Sequence, residues 1–325
     1  MYILGLGGSL HDFSACLVQD KKVLVAIEEE RLTRKKHGID NKKLQKSIMN
    51  NQVWKYTKTV DPMILQKAVQ YCLDYAQISL EDVDIVATTD SITYIPYVNS
   101  FENLIVMRHH LAHAASAYYT SEYNQSAILV VDGRGSLITH KGKTGYETVT
   151  FAVGKGNKIR VIDHVLDHSL GHFYEDFTLA LGFNMLEEGK VMGLSSYGSD
   201  KYVKDFRDLF ELLPEGQVHF LKNDTEIQNL VKDIVMQNGS DFQTKADLAY
   251  VVQKYTEEIM LHFVKYLKDI TECNYLCLAG GVSLNSVANG AIYDSKIFDK
   301  VYIFPAAGDN GLSVGTALYS AYINS

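Results

Sequence analysis

The histidines between residues 108 and 113 are the side chains of this sequence best suited to metal chemistry. His109 and His113 are four residues apart, so an α-helix would place both imidazoles on one face, where they can bind a single ion. His110 would face elsewhere on the same helix. Because two histidines at this spacing also occur in helices that bind nothing, a metal site requires further ligands close by.

Two aspartates can supply those ligands. Asp132 ends an apolar run that is typical of a buried strand, and Asp309 follows another run of this kind. Carboxylates at the carboxyl ends of strands face the cleft of α/β proteins. We therefore expect one metal site, formed by His109, His113, Asp132 and Asp309. A site of two imidazoles and two carboxylates suits Fe(II), Mn(II) or Zn(II) better than Mg(II), because imidazole is the softer ligand.

Two glycine-rich loops are candidates for phosphate binding. Gly280 and Gly281 follow an apolar strand and precede a helical segment, where backbone N–H groups attract anions; Asn285 closes this run. Tight turns between a strand and a helix also use glycine for packing, so the loop alone does not decide. The second loop, residues 5–9, lies between two strands, as phosphate loops do in actin-like ATPase folds. The sequence has neither a P-loop motif nor a Rossmann glycine motif.

Three polar residues near the glycines are candidates for catalysis. His11 and Asp12 would act as a general base and its orienting partner, unless Asp12 only caps a turn. Lys190 follows Gly189 and would neutralise a phosphate group, unless it is an ordinary solvated lysine. Polar and small residues at 167–174 mark the start of another helix at this site.

The predicted elements form two similar sets, each with three consecutive strands before helices take over, which indicates a weak internal duplication. The strands of the two sets are predicted at 2–7, 14–19 and 22–28, and at 127–132, 147–153 and 158–165. Strands and helices alternate in the last third of the chain, which favours an α/β core. We expect two lobes, residues 1–135 and 136–325, with a helical insertion at about 200–245.

Composition excludes several classes of function. The chain has 325 residues and a formal net charge of -8, so a basic surface for nucleic acid is not expected. No apolar stretch is long enough for a membrane helix, and the N-terminus does not read as a leader peptide. The four cysteines are too scattered for a disulfide framework. We expect a soluble, cytoplasmic protein without a nucleic-acid or membrane partner.

Taken together, the motifs resemble those of the O-carbamoyltransferases known as the NodU/CmcH or TobZ family. They occur in the family's order and cover nearly the whole chain. The matching runs are residues 3–15, 28–31 with 36–37, 109–114, 131–135, 189–198, 278–285 and 305–311.

The resemblance implies the actin-like ATPase (ASKHA) fold, with a duplicated βββαβα core in two lobes around a cleft. It implies that a carbamoyl group passes from carbamoyl-adenylate, held beside an iron ion, to a hydroxyl group of a sugar, antibiotic or related metabolite. The four metal ligands carry over by position, and His11, Asp12 and Lys190 would take the catalytic roles. ATP, ADP or carbamoyl-adenylate would be bound by Gly133, Ser169, Gly171, Gly189, Lys190, Gly280, Gly281 and Asn285.

Members of this family usually continue into a C-terminal domain similar to YrdC, which makes carbamoyl-adenylate from carbamoyl phosphate and ATP. The given sequence stops before such a domain: either a separate YrdC-like partner supplies the donor, or the sequence is a piece of a longer protein, and the residues do not decide between the two. A homodimer is a further expectation. Three alternatives remain: a small-molecule kinase of the actin-like fold, a tRNA-modifying enzyme, and a nucleotide-binding partner subunit without transfer activity.

Overall fold

A computed structural model of the chain describes residues 1–39 and 53–324 and contains two mixed β-sheets with the same strand order. In the first sheet, β1 pairs antiparallel with β2 and parallel with β4, and the order is β3-β2-β1-β4-β5. Its strands are β1 (Tyr2–Gly7), β2 (Ser14–Gln19), β3 (Lys22–Glu28), β4 (Ile85–Thr89) and β5 (Leu104–Met107).

The second sheet repeats this arrangement. Its central strand pairs antiparallel with the first strand of a long hairpin on one side and, on the other side, parallel with a strand that itself pairs parallel with the edge strand. The strands are β6 (Gln125–Val131), β7 (Leu137–His140), β8 (Lys143–Lys155), β9 (Lys158–Leu166), β12 (Tyr275–Ala279) and β13 (Lys300–Ile303); β10 (Phe210–Leu213) and β11 (Gln217–Phe220) form a separate hairpin. The repeated order confirms the predicted duplication and the α/β class.

Ten α-helices occur in the described part of the chain, and two of them cross between the sheets. They are α1 (Glu29–Thr33), α2 (Val53–Thr57), α3 (Gln66–Ala76), α4 (His109–Thr120), α5 (Leu170–Ala180), α6 (Glu188–Ser195), α7 (Asp224–Gln237), α8 (Phe242–Thr271), α9 (Ser286–Asp294) and α10 (Leu312–Ile323). Helix α4 follows the first sheet but packs on β6 and β12, whereas α10 ends the chain and packs back on β1, β2 and β4. Residues 125–131, which we expected in the first lobe, therefore form a strand of the second sheet.

The central strand β6 is buried on both faces because a helix covers each face. Ala127, Leu129 and Val131 belong to the core beneath α8, and Ile128 and Val130 pack under α4. Such a strand reads as a continuous apolar run, which explains why the sequence predicts it well. Among the described residues, no helix combines the length and the apolar composition needed to cross a bilayer.

The segment expected as a helical insertion is only partly helical. It contains a 3-10 segment at Asp200–Leu209, the hairpin of β10 and β11, and α7. The hairpin turns at Glu215 and Gly216, which both adopt positive φ. A turn of this kind matches the twist of paired strands and overrides the helical preference of the polar residues around it.

Helices α4 and α10 pack so closely that glycine is required at their contact. A Cβ atom at Gly315 would collide with the carbonyl oxygen of Ala112, and one at Gly5 would collide with the carbonyl oxygen of Ser313. The first glycine loop thus serves at least in part to bring α10 onto β1.

We predict that Gly315→Ala destabilises the protein by about 1–3 kcal/mol or more, because the extra methyl group overpacks this contact. Gly290→Ala is the matched control: Gly290 is also helical, but its Cβ would meet nothing within 4 Å, so alanine should raise stability by about 0.5–1 kcal/mol. Urea unfolding of both variants measures the difference. Equal stabilities would contradict the packing described.

Candidate metal centre and active site

Four buried side chains from separate parts of the chain meet at one point. His109 Nε2 lies 3.1 Å from His113 Nε2, 3.1 Å from Asp132 Oδ2 and 3.3 Å from Asp309 Oδ1. His113 Nε2 lies 3.7 Å from the Asp132 oxygen and 3.4 Å from the Asp309 oxygen. The structure thus brings together the four residues that the sequence predicted as metal ligands.

The ends of three neighbouring parallel strands create this convergence. Asp132 directly follows β6, Gly280 and Gly281 follow β12, and Asp309 lies in the turn between β13 and α10. Helix α4 begins at His109, so its first five residues bring both imidazoles to the same edge. The site therefore needs both the strand order and the crossing helix.

The spacing of the four ligand atoms fits a transition-metal ion. Atoms bound at about 2.1 Å are about 3.0 Å apart at a right angle and about 3.4 Å apart in a tetrahedron. The observed separations of 3.1 to 3.7 Å fall close to this range. Nδ1 of His109 lies 2.7 Å from Ser91 Oγ, and a hydrogen bond donated there leaves the Nε2 lone pair directed at the cluster.

The same groups compensate one another electrostatically. Burial lowers the pKa of His109, but the charges of Asp309 and Asp132 outweigh burial and raise it well above the ordinary value. Burial favours the neutral forms of Asp132 and Asp309, yet the imidazoles hold both carboxyl pKa values well below their usual range. Protonated imidazoles thus stand where a cation would bind, and a metal ion must displace their protons.

The loop after β12 is joined directly to this cluster. The Gly281 N–H donates to Asp132 Oδ1 over 2.9 Å, while Oδ2 of the same carboxylate faces the histidines. Gly280 has a φ of 90°, and a Cβ there would collide with the carbonyl of Val131. We expected the glycine pair to open a helix; instead a 3-10 turn intervenes, and α9 begins only after Asn285, whose side chain accepts the Ala288 N–H.

Three other predicted nucleotide-binding residues join α5 to the loop after Asp132. Ser169 caps α5 by accepting the His172 N–H, and its hydroxyl donates to the Gly133 carbonyl over 2.7 Å. Gly171 allows this contact, because a Cβ there would collide with the Gly133 backbone. These residues hold the N-terminus of α5 beside the cluster.

Gly189 and Lys190 lie on α6, away from these contacts. A Cβ at Gly189 or Gly193 would meet nothing within 4 Å, so α6 presents bare backbone to open space. The Lys190 ammonium lies 2.6 Å from Glu187 Oε1 on the surface, and its side chain is 56% exposed. Its proposed contact with phosphate remains a prediction, and an anion would compete with Glu187 for it.

The predicted pair of His11 and Asp12 is formed, with Nδ1 of the imidazole 2.9 Å from Oδ2 of the carboxylate. Burial lowers the pKa of His11, but the Asp12 hydrogen bond and the charges of Asp12, Asp309 and Asp132 raise it to about 9. Burial raises the pKa of Asp12, yet its histidine partners lower it to about 2. Asp12 is thus an ionised acceptor, and His11 lies within the electrostatic reach of the metal-site carboxylates.

Several residues of this site carry no clear signal in the sequence. Ser136 accepts the His109 N–H and donates to Asp90, each over 2.9 Å, and so fixes the start of α4. Burial, together with the charge of Glu188, raises the pKa of Glu175 to about 8, so this carboxyl is largely protonated at neutral pH. Serines and glutamates are too common in any sequence for these roles to be read from it.

Replacing His109 or His113 by Ala should weaken binding of Fe(II) or Zn(II) by at least about 100-fold, because water must replace one of two imidazole ligands. Affinity for the ion in the intact protein should rise with pH as the imidazoles lose their protons. Calorimetric titration of metal-depleted protein, with elemental analysis, measures both effects. His219→Ala, on the exposed face of β11, is the control. Equal metal affinity in all variants would refute the site.

We expect Asp12→Asn to lower the pKa of His11 from about 9 by at least about one pH unit, because it removes the carboxylate charge while burial remains. Titration of ¹⁵N-labelled histidines by NMR measures the change. Asp74→Asn, on the exposed face of α3, should leave the His11 titration unchanged. An unaltered pKa in the Asp12 variant would show that the hydrogen bond does not control this imidazole.

Comparison with solved structures places this arrangement in a known fold. The chain superposes on component A of the (R)-2-hydroxyglutaryl-CoA dehydratase of Acidaminococcus fermentans with a TM-score of 0.56 at 12% identity, covering 100% of this chain and 98% of that one. It superposes on full-length HypF in its phosphate- and nucleotide-bound form with a TM-score of 0.56 at 15% identity, covering 99% of this chain and 55% of HypF. The expected actin-like ATPase fold is confirmed.

Sequence comparison identifies the family. Nodulation protein NolNO of Sinorhizobium fredii (strain NBRC 101917 / NGR234) is 32% identical over 95% of this chain and 46% of its own length. The chain spans about half the length of the curated relatives it matches. The carbamoyltransferase N-terminus family matches residues 2–97 and 94–318. The chain therefore belongs to the carbamoyltransferase N-terminus family, as its motifs predicted.

Proposed function

We propose that this chain transfers a carbamoyl group from carbamoyl-adenylate to a hydroxyl group of a small-molecule acceptor. The observation that carries the proposal is the convergence of His109, His113, Asp132 and Asp309, within 3.7 Å of one another where measured, beside the glycine loop after β12. Family membership favours carbamoyl chemistry, and the convergent site supports a metal-assisted form of it. A small-molecule kinase would need no pair of buried imidazoles at this position.

We assign the adenylate to the space between α6 and α9. A Cβ at Gly189 or Gly193 on α6, or at Gly290 on α9, would meet nothing within 4 Å, and Ser286 Oγ on α9 lies 3.6 Å from Met192 Sδ on α6. Bare helical backbone is a surface on which a flat base can lie. The phosphate would then face the loop at Gly281 and the N-terminus of α5, where backbone dipoles favour an anion.

The proposed transfer forms one bond and breaks one. The acceptor oxygen attacks the carbamoyl carbon, the bond between that carbon and the phosphate oxygen breaks, and AMP leaves with its negative charge. The acceptor's proton passes to Nε2 of His11, whose Nδ1 is held by Asp12. The metal-site carboxylates help to raise the pKa of His11, so a divalent cation bound to them would lower it towards the range in which histidine accepts a proton.

An iron, manganese or zinc ion held by the four ligands would polarise the carbamoyl or phosphate oxygens of the donor. Ser91 keeps His109 in the tautomer that ligation requires, and the Gly281 N–H fixes the Asp132 carboxylate. The protein's own contribution is thus to hold donor and acceptor in line and to exclude water from a buried site.

The direct test supplies purified protein, reloaded with iron, with synthetic carbamoyl-adenylate and a panel of hydroxylated acceptors, and detects products by the mass increase of a carbamoyl group. Replacing His11 by Asn should lower turnover by about 100-fold or more, whereas nucleotide affinity should change little. His219→Asn is the control. Carbamoylation that is equally fast without the protein, or in the His113→Ala variant, would exclude the proposed site.

Nucleotide binding gives a separate test. A Cβ at Gly281 would lie 2.9 Å from Asp132 Oδ1, so Gly281→Val should disturb both the loop and the carboxylate beneath it. We expect ADP affinity to fall by about 10-fold or more while the protein remains folded. Calorimetry measures this, with His219→Val, on the exposed face of β11, as the control. Unchanged ADP affinity would place the nucleotide elsewhere.

A further inference from the structure

A second imidazole shares the Asp12 carboxylate with His11. Nδ1 of His37 lies 2.7 Å from Asp12 Oδ1, and Nδ1 of His11 lies 2.9 Å from Oδ2. An ionised carboxylate only accepts hydrogen bonds, so both imidazoles carry a proton on Nδ1 and donate it. Each oxygen of Asp12 is thus bound to a different histidine.

His37 also holds the backbone on which Asp12 stands. Asp12 has a φ of 56°, a conformation that residues other than glycine seldom adopt, and its N–H donates to the His37 carbonyl over 2.9 Å. The His37 N–H in turn donates to Glu30 Oε2 over 2.6 Å. His37 therefore binds Asp12 twice: its backbone carbonyl accepts the Asp12 N–H, and its imidazole contacts the Asp12 carboxylate.

The segment that presents His37 is anchored both on α3 and on the turn that carries Asp12. Glu29, buried at the start of α1, accepts the Ala68 N–H on α3 over 2.8 Å, and its own N–H donates to the Phe13 carbonyl. Residues 29–38 thus form a strap across the turn that carries His11 and Asp12. Nε2 of His37 is buried and has no hydrogen-bond partner among the residues described. Within that part of the chain, the imidazole is therefore held by the hydrogen bond of its Nδ1 to Asp12.

We propose that His37 is a positioning residue: it fixes the Asp12 carboxylate so that His11 keeps Nδ1 on Asp12 and turns Nε2 towards the cleft. This inference rests on the proposed function only for its kinetic consequence. Without the His37 donor, the carboxylate can rotate about its Cβ–Cγ bond and both oxygens can be solvated. His11 then loses a fixed partner, as a catalytic histidine does when its orienting carboxylate is left unsupported.

Two substitutions of His37 separate positioning from simple packing. His37→Asn places an amide N–H near the position of the imidazole Nδ1, so it can still donate to Asp12. His37→Leu keeps a similar bulk but has no donor. Because His37 has a φ of 59°, which Asn tolerates better than Leu, His37→Gly serves as the backbone control: glycine adopts this φ freely and also has no donor. A purely conformational role of this position would make the Asn and Gly variants alike, whereas a positioning role requires the Asn variant to resemble the wild type and both variants without a donor to be impaired.

The test combines NMR with kinetics on the full chain. In ¹⁵N-histidine spectra recorded above the pKa of His11, where the ring is neutral, His11 of the wild type and of His37→Asn should carry its proton on Nδ1, while His37→Leu should show exchange of the proton between the ring nitrogens. With carbamoyl-adenylate and an accepted acceptor, His37→Leu should lower kcat by about 10–100-fold at unchanged KM, and His37→Asn should stay within about 3-fold. Metal content and ADP affinity should be those of the wild type, and His219→Leu is the control for histidine loss.

The two hypotheses fail in different ways. If the wild type carbamoylates nothing, the proposed function fails, and the NMR comparison still decides the role of His37. If the wild type is active but His37→Leu keeps the His11 spectrum and the kcat of the wild type, the positioning role is wrong. An Asn variant as impaired as the Leu variant, in a folded protein, would also overturn it.

Discussion

The burial of two carboxylates beside two imidazoles is the constraint on which the rest of this structure depends. Asp132 and Asp309 lie nearly free of water, where an uncompensated negative charge would cost several kcal/mol. His109 and His113 compensate them only because the ligand nitrogen and oxygen atoms of all four side chains lie within 4.8 Å of one another. A small displacement of any contributing element would leave a buried charge unpaired, so the cluster demands a rigid frame.

The crossing of α4 and α10 provides much of that frame. Helix α4 carries the histidines against the second sheet, and α10, which starts just after Asp309, returns to the first sheet and packs on α4. The contact of Gly315 with Ala112 lets the two helix backbones approach directly. The histidines and the second aspartate are thus held by helices that touch each other, as well as by the strand ends on which α/β sites are usually built.

The sequence predicted the candidate metal ligands where a regular local spacing determines the direction of a side chain. The four-residue spacing of His109 and His113 predicted their shared direction, and apolar strands that end in acids predicted Asp132 and Asp309. Long-range partners were not predictable, because Ser91 and His37 reach the site through tertiary folding that no local pattern encodes. The first glycine loop has a packing role that the pattern did not reveal: Gly5 lies against the backbone of α10, while phosphate binding by this loop stays a prediction.

The Asp132 carboxylate links the two halves of the proposed chemistry. One oxygen belongs to the metal cluster, and the other accepts the Gly281 N–H from the loop proposed to face phosphate. An anion that binds to that loop would change the direction and strength of the hydrogen bond from Gly281 to Asp132. The charge that the Asp132 carboxylate presents to a metal ion would then change as well. Linkage requires the reverse effect to be equally large, so metal and nucleotide must influence each other's affinity through this side chain.

His11 lies within the same electrostatic field, and its proton affinity therefore depends on how fully Asp132 and Asp309 are neutralised. The base would then be most able to accept a proton when the metal is in place.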